Sequence, residues 1–248
     1  MSGKRVLVTG GGSGLGRVLA EDFAAAGGDV HICGRRPEPL QAVTDAADGI
    51  TAHILDVTNE EATDVMFESI GHADIIIANA GIAESAPLHR TSTEMWHRIM
   101  AVNLTGCFLT FRAGLQQLRN AKCSWGRLIA ISSITGLSGH RYASAYSASK
   151  HGVNGLVRST AAELASTGIT ANALCPGYLD TEMTDRSIDN IIAKTGKSRE
   201  DATGVLADMS PLGRLITPQE VSTAALWLCG PGSDAVNGQT IAINGGEG

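Results

Sequence analysis

Nowhere does this chain hold an apolar run approaching the roughly 18 residues that a bilayer-spanning helix needs, so a helical membrane anchor is excluded. The first apolar run begins at Lys4, and we expect no cleaved leader ahead of it. Basic charge is also scarce: 19 Lys and Arg stand against 25 Asp and Glu, a net charge of -6, with no basic cluster long enough to track a phosphate backbone. Nucleic acid is therefore not expected as a partner. Cysteines 33, 107, 123, 175 and 229 are odd in number, scattered and never in a CxxC, which indicates neither a disulfide framework nor a zinc site. We expect no metal, and a reducing, cytoplasmic setting.

What is present is a rhythm. Short β-branched apolar runs alternate with longer helical patterns: a strand in 4–9, a helix over 15–26, a strand in 30–33, a helix from Pro37, a strand in 51–55, a helix over 59–70 and a strand in 73–78. Strands of nearly continuous apolar character in a βαβ alternation predict a parallel sheet covered on both faces. A chain of 248 residues can bury a large core, and one doubly wound α/β domain over 1–248 is the expectation.

Between the first strand and first helix lies Thr9-Gly10-Gly11-Gly12-Ser13-Gly14-Leu15-Gly16. Glycines let such a turn close, and a dinucleotide pyrophosphate would meet backbone N–H groups and a helix N-terminus there. Many glycine-rich loops are only tight turns; the strand-turn-helix context favours a cofactor. Tyr146 and Lys150 stand four apart in a segment of helical composition, which puts both on one face. An ammonium beside a phenol favours phenolate, so we expect Lys150 to lower the tyrosine pKa and fit it for proton exchange with an alcohol or carbonyl. Ser133, just past the apolar run 127–131, could hold the same oxygen. The spacing alone also fits an ordinary helix face.

With these motifs in order, the sequence resembles the short-chain dehydrogenase/reductases along essentially its whole length. The likeness is carried by TGGGSGLG, Asp56-Val57, Asn79-Ala80-Gly81, Asn103, Ser133, Tyr146-Ser147-Ala148-Ser149-Lys150, Pro176-Gly177 with Thr181, and the closing Asn237-Gly238-Gln239 to Gly245-Gly246. The resemblance implies a Rossmann-type sheet of about seven strands in the order 3-2-1-4-5-6-7. It implies Tyr146 as general acid or base, Lys150 as its pKa-lowering partner and ribose ligand, Ser133 positioning the carbonyl, and Asn103 kinking its helix and holding a relay water. Cofactor contacts would come from Thr9, Gly10, Ser13, Gly14, Leu15, Gly16, Arg35, Arg36, Asp56, Val57, Asn79, Ala80, Gly81, Tyr146, Lys150, Pro176, Gly177 and Thr181. Asp56 would hold the adenine amino group, although it could equally serve as a cap companion of Thr58.

Where NAD-preferring relatives place a carboxylate at the end of the second strand, this chain has Gly34, then Arg35 and Arg36. Arg35 could pair with a 2′-phosphate, which favours NADP(H) and leaves NAD(H) open. The polar stretch 178–210 breaks the rhythm and would be a substrate lid. There Asp180, Glu182, Asp185 and Asp189 read as a solvated helix surface, and Met183 or Ile188 as substrate-facing. In the loop before Tyr146, His140 and Arg141 read as surface residues, with Arg141 the alternative contact for an anionic handle.

Among the family the chain looks most like 3-oxoacyl thioester reductases and aromatic polyketide ketoreductases. The expected reaction is ketone to secondary alcohol, on a 3-oxoacyl thioester. A sugar, polyol, hydroxy acid or steroid alcohol is the alternative, and a non-catalytic dinucleotide sensor is the alternative of another class. A homotetramer is expected through the helices around 95–118 and 146–164, whose small residues Ala148, Gly152, Gly155, Ala161 and Ala162 would allow close contact; the same residues could simply pack inward.

Overall fold

The computed structural model describes residues 1–247 of the chain. Its first half follows the predicted alternation: β1 (Arg5–Thr9), α1 (Gly14–Ala25), β2 (Asp29–Gly34), α2 (Pro37–Ala46), β3 (Ile50–Ile54), α3 (Glu60–Ile70) and β4 (Ile75–Ala78). A helical stretch then runs through α4 (Thr93–Met100), a π turn (Ala101–Thr105) and α5 (Gly106–Asn120). After it come β5 (Gly126–Ile131), α6 (Ser144–Leu164), β6 (Ile169–Pro176), α7 (Glu182–Thr195), α8 (Arg199–Ala207), α9 (Pro218–Cys229) and β7 (Thr240–Ile243).

All strand pairs are parallel, in the order β3-β2-β1-β4-β5-β6-β7, the order that the resemblance implied. Parallel neighbours need long crossovers, and those crossovers lay helices on both faces. Side-chain alternation then divides the core in two. Leu7, Ile76, Leu128 and Ala171 face Phe67, Phe111 and Val157 on one side. Val6, Val8, Ile32 and Ile129 face Leu19, Phe23 and Val221 on the other. The edge strand β3 departs from the expected buried run: Thr51, Ala52 and Ile54 are exposed, because only one neighbour and few helices cover it.

The strand order reverses between β1 and β4, so the loops leaving their carboxyl ends part and open a crevice. The stretch past β6 is more regular than expected. In place of a weakly patterned lid it forms two helices, α7 and α8, around a small core of Ile188, Ala202 and Leu206. Arg199 ties them by pairing with Asp185 and with Asp189 at 3.0 Å. Among the described residues no helix is long and apolar enough to cross a membrane, and all five cysteines are free.

Candidate active site

The glycine-rich turn is shaped by contacts that leave no room for side chains. A Cβ on Gly16 would lie 2.1 Å from the Gly10 carbonyl oxygen and 2.6 Å from Asn79 Nδ2. Gly10 and Gly14 take left-handed backbone, at φ 67° and 51°. The turn is locked to β4: Thr9 Oγ1 accepts from the N–H groups of Asn79 and Ala80, both at 3.0 Å, and Asn79 Nδ2 donates to the Thr9 carbonyl at 2.9 Å. Ser13 is the extended residue before α1, and its side chain does not cap the helix. The first N–H groups of α1 are therefore left free of a side-chain acceptor, as an anion-binding turn requires.

From there a strip of contacts crosses to α6. A Cβ on Gly81 would sit 3.4 Å from Asn103 Oδ1 and 3.7 Å from Lys150 Nζ. Lys150 is buried and donates to the Ile131 carbonyl at 2.8 Å. The Tyr146 ring lies beside it, with its centroid 5.6 Å from Nζ. Ser133 opens a short helical turn after β5, where its hydroxyl accepts from Thr135 N–H at 3.2 Å and bonds towards Tyr146. Tyr146, Lys150, Ser133 and Asn103 thus gather at the open end of the crevice bounded by Gly10 to Gly16.

The electrostatics differ from the expectation. Burial pushes the Tyr146 phenol up to about 12; the Ser133 hydrogen bond opposes this and the neighbouring Tyr178 adds to it. Burial likewise brings Lys150 down to about 8, while Cys107 and Cys175 nearby pull the other way. The expected lowering of Tyr146 by an ammonium is not the dominant effect. The ammonium is turned to a backbone carbonyl, and the packing that brings it close also removes water from both groups.

Asn103 occupies the π turn that interrupts α4 and α5, which agrees with a kinked helix. Its side chain is fully engaged: Oδ1 accepts from Ile82 N–H at 2.8 Å, and Nδ2 donates to the Ile82 carbonyl at 3.0 Å and to Ser149 Oγ at 3.1 Å. Ser149, fully buried, donates in turn to the Tyr146 carbonyl at 2.7 Å. Sequence reading passed over this strut, although Ser149 stood within the quoted motif. It also passed over Tyr178, whose phenol is raised by burial and by Glu247, and which follows directly on Pro176-Gly177.

The remaining expected contacts divide. Thr181 precedes α7 and puts its Cγ2 3.6 Å from where a Gly14 side chain would begin, so the start of the α7–α8 pair reaches the glycine turn. Gly177 N–H donates to the Ile243 carbonyl at 3.1 Å and fixes the Pro176-Gly177 bend. Leu15 and Val57 are buried in the core and have only their backbone to offer. Asp56 Oδ1 accepts from Thr58 N–H at 3.0 Å and from Thr58 Oγ1 at 2.8 Å, the cap-companion arrangement. Burial raises its carboxyl, but the two Thr58 bonds and the Arg35 charge outweigh that and hold it below the usual range. Arg35 and Arg36 are exposed, and among the described residues neither has a carboxylate within ion-pair distance. Ile188, expected as a candidate substrate contact, is buried in the small core between α7 and α8, whereas Met183 is exposed.

The residues fit a dinucleotide. The cradle at Gly16 and Gly10 would be filled by any Cβ, the α1 N-terminus is uncapped, and the crevice continues to a buried lysine and a half-buried phenol. No cluster of three or more metal-ligating side chains occurs among the described residues.

Comparison with known proteins agrees with this geometry. Residues 4–191 match the family model described as short chain dehydrogenase. The chain is 33% identical to the D-beta-hydroxybutyrate dehydrogenase of Rhizobium meliloti (strain 1021), over 98% of each chain. It is 34% identical to the 3-oxoacyl-[acyl-carrier-protein] reductase FabG of Aquifex aeolicus (strain VF5), over 99% of this chain and 98% of the relative. Among solved structures, a variant of actinorhodin polyketide ketoreductase with NADPH superposes with a TM-score of 0.93 at 31% identity, covering 100% of this chain and 99% of that one.

Proposed function

Because this chain belongs to the short chain dehydrogenase family, and is an oxidoreductase acting on a secondary alcohol or ketone with a nicotinamide dinucleotide, we propose that it reduces a 3-oxoacyl thioester with NADPH. The observation that supports this most is the meeting of Ser133, Tyr146 and Lys150 at the end of the glycine-lined crevice. Thr9 to Gly16, Asn79 to Gly81, Gly177 and Thr181 would hold the dinucleotide, which when bound supplies hydride to the carbonyl carbon.

This chain's residues supply the proton and the geometry. With its phenol at about 12, Tyr146 is protonated at neutral pH and serves as general acid to the ketone oxygen. Ser133 donates to the same oxygen and fixes its direction. Lys150, brought down to about 8, titrates close to working pH beside the Tyr146 ring, where its charge assists the return of a proton from solvent to the phenolate. Asn103 acts one step removed: through Ser149 and Ile82 it sets the spacing between α6 and the loop after β4. The test is Tyr146→Phe, which should lower ketone-dependent NADPH oxidation by at least about a thousandfold while a dinucleotide still binds. A wild-type protein that binds the dinucleotide yet turns over no ketone or alcohol would instead be a sensor.

NADPH is preferred in this reading because Gly34 ends β2 without a carboxylate and Arg35 stands exposed beside it. NADH outperforming NADPH, or Arg35→Ala leaving the preference untouched, would defeat that choice. A second reading, dehydrogenation of a 3-hydroxy acid, is favoured by the likeness to D-beta-hydroxybutyrate dehydrogenase. A panel of oxoacyl thioesters, hydroxy acids, polyols and steroids with both cofactors separates the two. The remaining parts of the proposal are a single catalytic domain with its lid at 178–210, a cytoplasmic setting and a homotetramer.

A further inference from the structure

Two non-glycine residues among those described have left-handed backbone, Lys122 at φ 52° and Tyr142 at φ 66°. Lys122 ends α5 in an ordinary way: its N–H donates to the Arg119 carbonyl, and Cys123 N–H to the Leu118 carbonyl. Tyr142 ends no helix. It stands two residues before α6, and its carbonyl accepts from Ala86 N–H at 2.8 Å across the mouth of the crevice. A large aromatic residue keeps this conformation only where its surroundings impose it.

The consequence is a presented side chain. Tyr142 is 54% exposed, and the Arg141 guanidinium carbon lies 5.4 Å from its ring centroid. Arg141 Nη2 donates to the phenol oxygen at 3.4 Å, which sets the guanidinium beside the hydroxyl. Among the described residues no carboxylate pairs with Arg141. The local charge is equally one-sided. Although the chain carries a net charge of -6, it has no Asp or Glu between Glu94 and Glu163. On the facing loop Glu84 is taken up by both donors of Arg98, while His89 and Arg90 are exposed. With Nη2 held by the phenol, the other guanidinium N–H groups and the phenol O–H remain to meet a planar or tetrahedral oxyanion.

We propose that Arg141 and Tyr142 form an anion subsite at the rim of the crevice, selecting substrates that carry a phosphate or carboxylate away from the reacting carbonyl. The inference rests on the reading that this crevice takes a ketone or alcohol, and the test is arranged so that the two can fail separately. Isothermal titration of the full chain with coenzyme A, for the phosphate, and with acetoacetate, for the carboxylate, requires no turnover. At least one should bind, and Arg141→Gln should weaken that binding tenfold or more; which of the two binds identifies the source of the anion. Tyr142→Gly suits the left-handed backbone and keeps the fold, so weaker binding in that variant reports the lost ring and hydroxyl. Where the enzyme turns over ketones, the kcat/KM ratio of acetoacetyl-coenzyme A to its uncharged N-acetylcysteamine analogue should fall at least tenfold in Arg141→Gln. Binding of neither ligand by the wild type, equal binding by wild type and Arg141→Gln, or an unchanged Tyr142→Gly overturns the proposal, whatever the outcome of the turnover assay.

Discussion

At the scale of the residue, the chemistry turns on which proton moves near neutral pH. Tyr146, pushed up to about 12 chiefly by burial, stays protonated across the whole working range. Lys150, brought down to about 8 by the same cause, does not. The pH profile of kcat/KM for ketone reduction should therefore be level below about 8 and fall above it, with no bend at a lower tyrosine pKa. A bend near 6 to 7 that disappears on removing another group would move the acid role elsewhere. The pairing of Tyr146 with Lys150 was legible from their spacing, because four residues make one helical turn. The sign of the tyrosine shift was not: it depends on how much water the fold excludes around the phenol, which no local pattern records. Tyr178 was missed for a related reason, since only the bend at Gly177 brings its phenol close enough to act on Tyr146.

At the scale of the element, the turn between β1 and α1 carries the cofactor reading, and Gly16 is its tightest point. Gly16→Ala would drive a methyl against the Gly10 carbonyl and the Asn79 amide, both fixed by hydrogen bonds. We expect a loss of about 2 kcal/mol or more in stability, measured by denaturant unfolding, together with loss of dinucleotide binding. The strand pair beside this turn sets a pH dependence of its own. His31 on β2 and His53 on β3 bond ring to ring at 2.8 Å. Burial, the largest cause, lowers both pKa values; the Arg5 charge adds to this at His31, and Asp29 opposes it. The folded state therefore binds fewer protons than the unfolded chain, whose histidines titrate near 6.5, and stability must fall as pH drops through that region. Melting temperature should decline between pH 7.5 and 5.5, and His53→Gln should flatten the decline. These elements were legible as a βαβ alternation because apolar runs and helical periods are local signals. The α7–α8 pair was not, because its small core around Ile188 forms only when α8 folds back on α7.

At the scale of the whole molecule, the helical stretch through α4 and α5 leaves two large apolar side chains partly at the surface. Trp96 is 38% exposed and Phe108 42%. The small residues singled out from sequence do not act alike. A side chain on Gly152 would meet Leu104 at 2.7 Å, and Ala161 is buried against Gly238, so these two serve the chain's own packing. Gly155 and Ala162 instead lie on the exposed face, and a Cβ on Gly155 would meet nothing within 4 Å. Sequence composition could not separate inward from outward small residues, because that division depends on the π turn, which places Leu104 against Gly152. An open face lined by glycine and alanine lets a second copy approach closely across a two-fold axis. One such contact joins two copies and the proposed homotetramer needs a second, so light scattering on the eluting protein should give four times the chain mass of 25.7 kDa. Gly155→Arg has room in the isolated chain, so it should lower that mass while leaving the circular dichroism spectrum unchanged. A wild-type mass of one subunit, or a Gly155→Arg protein that still elutes as the tetramer, would show that this face meets only water.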